Sequence, residues 1–204
     1  MKGSIGVPTE YTQATMPLAS AVASGTTVYN STYNVRMRSN GTRWVPLSPF
    51  IVDQGPRSDV VTGTIAESLM HSVDVSDAVR YMGPKGRLRI VAGWTFPNTA
   101  NAKSIRIRIG TTAGVSGTLY LTSVSTGTGN SMADKTIFAN GSEASQLCSS
   151  ASSLGTAASG SFITSTLNFA PGGDTVIVSL LSAPAGAGEV VTLNSFSISI
   201  EPRF

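Results

Sequence analysis

The sequence predicts an all-β protein, a jelly-roll-like antiparallel β-sandwich over residues 56–204 preceded by a small β-hairpin and extended region over residues 1–55. Three observations carry that expectation. Apolar and polar residues alternate in several short stretches, turn-forming residues recur at short intervals, and helical periodicity is nearly absent.

In the N-terminal region, Tyr33, Val35 and Met37 alternate into Ser39-Asn40-Gly41, and the chain returns through Arg43, Trp44 and Val45. The Asn-Gly pair favours a two-residue type I′ hairpin turn. An isolated hairpin is marginal in water, so Tyr33, Met37 and Trp44 are expected to be covered by partner chains or by the main domain. A turn-rich stretch from Asp53 through Gly55-Pro56 to Gly63 reads as a linker or domain boundary.

Beyond it, Glu67, Leu69, His71 and Val73 read as one face of a strand. Leu88, Ile90, Ala92 and Trp94 alternate with Arg87, Arg89 and Val91, Ile105, Ile107 and Ile109 with Arg106 and Arg108, and Phe196, Ile198 and Ile200 with serines. Each pattern marks a strand buried on one face. Thr175–Leu181 is continuously apolar, as expected of a central strand covered on both faces. Only Ser76–Met82 carries helix punctuation, with Ser76 as N-cap and Gly83-Pro84 as stop. Residues 96–102, 127–134, 149–160 and 183–188 read as loops.

The chain has 204 residues, of which 41% are hydrophobic and 12% charged, against about 25% charged in an average domain. Its polar surface is therefore mostly hydroxyl and amide, which suits packing against copies of itself. The net charge of +3 comes without a basic run, since Arg87, Arg89, Arg106 and Arg108 alternate singly as a solvated face or as intersubunit pairs. Nucleic acid is not expected as a partner. The lone Cys148 cannot form an internal disulfide, which points to synthesis in a reducing cytoplasm. No apolar run approaches the ~20 residues of a membrane span, and no apolar segment adjoins Met1-Lys2-Gly3 as a secretory signal requires.

Catalytic chemistry finds little support. A nucleophile needs a base, and the single histidine, His71, lies on a strand face while Cys148 lies in Ser-rich sequence without a nucleophile motif. The carboxylates are scattered singly, not paired as a glycosidase requires. Neither a metal framework nor a phosphate-binding glycine loop is present, so no cofactor is expected. The Asn-x-Ser/Thr triplets at Asn30, Asn40 and Asn140 read as turn formers.

Residues Val28–Pro46 resemble a segment recurring in bacteriophage tail-fibre and related virion proteins. Met82-Gly83-Pro84-Lys85-Gly86-Arg87-Leu88-Arg89-Ile90, Trp94 and Asn98–Gly110 resemble the C-terminal β domains of such fibres. The resemblance implies a homotrimer in a virion, made in the bacterial cytoplasm, with residues 1–55 docking on other virion proteins of the tail, baseplate, collar or capsid. Its sandwich loops would serve host attachment, and a host surface glycan is the expected external partner. Trp94, Phe96, Asn98, Asn101 and Tyr120 are the candidate glycan contacts, and Tyr33, Met37 and Trp44 the candidate docking or trimer contacts. The rival reading is a decoration, collar or baseplate adaptor that binds no receptor.

Overall fold

Val35, Met37 and Ser39 are buried while Arg36 and Arg38 between them are exposed, the period-two signature of a sheet with one covered face. The computed structural model describes residues 8–63, 66–96, 99, 101–125, 129–148, 163–184, 186 and 189–204. The chain divides into two units, residues 1–51 and 52–204.

The first unit is a four-stranded sheet of β1 (Thr9–Tyr11), β2 (Thr27–Asn30), β3 (Val35–Ser39) and β4 (Trp44–Pro46), in that order. β1 and β2 are parallel, and the other neighbours are antiparallel. The segment after β1 covers the buried face. Trp44 Nε1 donates to Pro17 O (2.7 Å), Ser39 Oγ to Ala19 O (2.9 Å) and Asn30 Nδ2 to Gln13 Oε1 (2.9 Å). Met37 and Trp44 are buried, at 0% and 5% exposure, with cover supplied by the segment after β1 in their own unit. Tyr33 is half-buried, its ring centroid 5.1 Å from that of Phe50.

The β3–β4 turn also differs from expectation. A type I′ turn needs positive φ at both central residues. Gly41 (φ 92) has it and Asn40 does not. Instead Asn40 Oδ1 accepts from the N–H groups of Thr42 (3.0 Å) and Arg43 (2.8 Å), holding a longer loop over residues 40–43. Asn30 forms a similar turn, accepting from Thr32 N–H at 3.0 Å.

The second unit contains β5 (Phe50–Thr62, which begins in the last residues of the first unit), β6 (Ser68–Asp74), α1 (Ser76–Val79), β7 (Arg87–Phe96), β8 (Lys103–Gly110), β9 (Thr118–Ser125), β10 (Gly129–Ser142), β11 (Ser145–Cys148), β12 (Ile163–Ser165), β13 (Ile177–Pro184) and β14 (Val190–Glu201). One sheet has the order β12-β11-β10-β7-β14-β5 and the other β6-β13-β8-β9. Setting β11 and β12 aside, the first four strands neighbour the last four in reverse: β5 with β14, β6 with β13, β7 with β10 and β8 with β9. This nested pairing, split over two sheets, is a jelly roll.

Inward residues of both sheets form the core. Leu88, Ile90 and Trp94 of β7, Ile105, Ile107 and Ile109 of β8, and Ile198 and Ile200 of β14 are at most 1% exposed. β13 lies between β6 and β8, and Val178 through Ser182 are all buried, as the continuous apolar run predicted.

Four further expectations need correction. The stretch to Gly63 is a strand and not a linker, and its Pro56 is tolerated because β5 is an edge. Residues 129–134 are the start of β10, not a loop, because they pair one by one with β7 from Gly129↔Phe96 onward. Ala183 and Pro184 likewise belong to β13, and residues 149–160 lie outside the described residues. The helix is a single turn whose N-cap position is Val75, not Ser76. Ser76 Oγ instead accepts from Val176 N–H (2.8 Å), just before β13, and donates its proton to Asp74 Oδ1. Past the turn that follows the helix, Gly83 (φ 74) is obligatory, since a Cβ there would stand 2.3 Å from Arg203 O.

Candidate binding face of the six-stranded sheet

The residues of β7 that alternate with its core set, Arg87, Arg89, Val91, Gly93 and Thr95, define the outer face of the six-stranded sheet. Strand register lays their neighbours out in rows: Phe138, Arg87 and Glu201, then Thr136, Arg89 and Ser199, then Asp134, Val91 and Ser197, then Met132, Gly93 and Ser195, and at the far end Asn130, Thr95 and Thr192.

The charged half of this face is internally paired. Arg89 donates to both oxygens of Asp134 (3.0 and 2.5 Å), and Arg87 lies 3.6 Å from Glu201 with its guanidinium 5.0 Å from the Phe138 ring centroid. The Arg89 hydrogen bonds hold the Asp134 carboxyl below its ordinary pKa, against a smaller upward push from burial. On the other sheet, Arg108 Nε and Nη2 grip Glu67 at 2.6 and 3.0 Å, and Arg106 adds a third bond at 2.6 Å. Burial raises the Glu67 pKa, but these bonds and charges outweigh it and the net value is lowered. Arg89, Arg106 and Arg108 therefore have carboxylate partners within the chain, and Arg89 stays on a solvated face as one of the two expected readings had it.

The uncharged half is open. Gly93 has no side chain between Met132 and Ser195, and a cleft of ≈ 370 Å³ lies there, lined by Gly93, Trp94, Asn130, Ser131, Met132, Asn194 and Ser195. A bulge in β14 creates part of its wall. Leu193 pairs with Trp94 and Ser195 with Gly93, which leaves Asn194 as the extra residue. Asn194 Nδ2 donates to Thr95 Oγ1 (2.5 Å), which donates to Asn130 Oδ1 (2.9 Å), a relay that closes one end of the cleft. Met132 is 68% exposed.

The candidate residues named from sequence fall elsewhere. Trp94 and Tyr120 are 0% exposed and Phe96 3%, so their rings pack in the core and offer no face to a ligand. Asn101 Nδ2 donates to Glu189 Oε1 at 3.0 Å, an internal bond, and Asn98 lies outside the described residues. Of the docking candidates, Met37 and Trp44 are buried in the first unit and Tyr33 half-buried. Gly93, Asn130, Met132 and Asn194 were not singled out. The usable signal was an isolated glycine inside a strand pattern, which marks a bulge or an open approach to the backbone.

His71 and Cys148 belong to different sheets. His71 is occupied by Arg57, whose Nη2 lies 2.9 and 2.7 Å from its ring nitrogens, and by Phe196 at 4.7 Å between centroids. Cys148 on β11 is fully buried. Among the described residues, no group of three or more His, Cys, Asp or Glu could hold a metal, and no helix is long and apolar enough to cross a membrane.

No protein-family model matches the chain, and no curated protein matches it in sequence. Among solved structures, the VP2 subviral particle of infectious bursal disease virus aligns over 86% of this chain and 50% of that one, with 12% identity and a TM-score of 0.30. The lectin UEA-II complexed with galactose aligns over 86% and 85%, with 9% identity and a TM-score of 0.26. This chain thus spans half the length of the capsid chain. Likenesses this remote carry no argument, and the jelly roll rests on the strand pairing itself.

Proposed function

We propose that the chain is a structural component of a bacteriophage virion, a homotrimeric fibre or appendage whose residues 1–51 dock on other virion proteins while the jelly-roll unit meets the host surface. The observation that most supports attachment is the outer face of the six-stranded sheet, where paired arginines give way to an uncharged, amide-lined cleft over Gly93. A surface serving only to cement neighbouring subunits has no need of such an opening. Three copies on one rigid body would present three clefts, and contacts too weak singly would hold together.

The role proposed is non-enzymatic, resting on binding alone. Light scattering of the purified chain should give three times 21.0 kDa. The labelled trimer should bind cells that its particle infects. Binding confined to other virion proteins would overturn attachment in favour of a decoration, collar or baseplate adaptor.

A further inference from the structure

We infer that the cleft over Gly93 is a subsite for one ring of a neutral sugar, an inference that takes its setting from the attachment reading above. Space comes from the missing side chain. A Cβ on Gly93 would stand 3.1 Å from Ser195 Oγ, so any larger residue would fill the floor between Ser195 and Met132. At ≈ 370 Å³ the cleft falls at the small end of ligand sites, which begin at about 300 Å³.

The relay from Asn194 through Thr95 to Asn130 spends one amide N–H, one hydroxyl proton and one amide oxygen. It leaves both N–H groups of Asn130 and the oxygen of Asn194 without a partner among the described residues, and both side chains are exposed. A donor group and an acceptor set either side of Thr95 suit neighbouring sugar hydroxyls, each of which both donates and accepts. The relay also restrains both amides before a ligand arrives. The exposed Met132 thioether supplies the soft apolar wall against which the C–H face of a ring can lie.

Charge decides between neutral and acidic sugars. Among the described residues no ionisable side chain lines the cleft, and Arg89 and Asp134 on the same face pair with each other. A carboxylate entering the cleft would lose hydration without gaining a counter-charge.

Saturation-transfer NMR on the full chain tests this, with methyl glycosides of glucose, galactose, mannose and N-acetylglucosamine as neutral probes and methyl glucuronide as the acidic one. At least one neutral probe should receive saturation and the glucuronide should receive less. Gly93→Val, which suits a strand, should abolish the signal, and Asn130→Ala should weaken binding about tenfold through lost hydrogen bonds. Ser199→Ala, farther along the same face, should change nothing. If Gly93→Val fails to fold, the exposed positions Asn130→Ala and Met132→Ala carry the test. Silence from every neutral probe, or signals unaltered by these substitutions, would overturn the subsite. A chain that binds host cells while no neutral probe engages the cleft would sink the subsite alone and leave attachment standing.

Discussion

Lys103 Nζ and Glu189 Oε2 stand 3.5 Å apart, and the two side chains are 0% and 2% exposed. Thr99 ties the pair together, its carbonyl and hydroxyl oxygens each 2.9 Å from Nζ and its hydroxyl donating to Glu189 Oε1. Asn101 donates to the same oxygen, and Glu189 O accepts from Gly63 N–H at 2.8 Å. Three connecting segments of the jelly roll thus meet at Glu189, one held by its buried carboxylate and one by its main-chain oxygen.

Neutralising that carboxylate should destabilise the fold at neutral pH. The Thr99 hydroxyl holds the Glu189 carboxyl below its ordinary pKa, opposed by burial and aided by Asn101 and Lys103. A lowered native pKa gives stability that is present above the unfolded value and lost as pH falls through the native one. Glu189→Gln should therefore melt lower than the natural chain near neutral pH, with the gap closing in acid. An equal gap at both pH values would refute the ionic role.

Glu67→Ala should cost about 1.5–3 kcal/mol, the scale of lost charge-assisted hydrogen bonds, because Arg106 and Arg108 would face each other without their shared carboxylate. A double-mutant cycle with Arg108→Ala in urea should show coupling above about 0.5 kcal/mol. Additive losses would mean that the pair contributes only packing.

His71 should make the unit less stable as pH drops from about 6.5. Burial and the Arg57 guanidinium lower the imidazole pKa, with Asp59 and Asp53 pulling weakly the other way. The unfolded chain then binds the proton more readily than the native one, so stability rises with pH across this window. The melting temperature should decline between about pH 7 and about pH 5, and His71→Gln should flatten that slope. Glu67 and Asp134, whose pKa values are also lowered, titrate in the more acidic carboxylate range and so can be told apart.

Trp94→Ala should cost about 3–5 kcal/mol, a large part of the 5–15 kcal/mol that holds a domain together. Any binding lost with it would follow from unfolding, which near-UV circular dichroism will show. Asn130→Ala should melt within about 0.5 kcal/mol of the natural chain, as surface changes do.

Legibility in the sequence followed one-sided burial. β7, β8 and β14 announced themselves because each puts alternate residues into the core, and β13 because it buries nearly all of its residues. β5 and the start of β10 did not, since an edge strand needs no apolar face and the outward residues Asn130 and Asp134 carry turn-like composition. The alternation that placed Trp94 with Leu88 and Ile90 already set it on the inner face, so its aromatic character was a poor guide to binding. The opposite parity, Gly93 and Thr95, marked the open face. The Asn194 bulge left no trace in sequence because it exists only as a mismatch between two paired strands.

The nested pairing of the jelly roll also orders its assembly in time. β8 and β9 are joined by the loop 111–117 and can meet as soon as both leave the ribosome, whereas β5 must wait for β14, separated from it by nearly the whole unit. β14 then settles between β7 and β5, in the interior of a sheet and not at its rim. Until it is synthesised, β7 shows an unpaired edge and the growing chain is at its most prone to wrong association. Folding should therefore be slow, with a high contact order, and a chain stopped before Val190 should aggregate instead of leaving a smaller soluble domain.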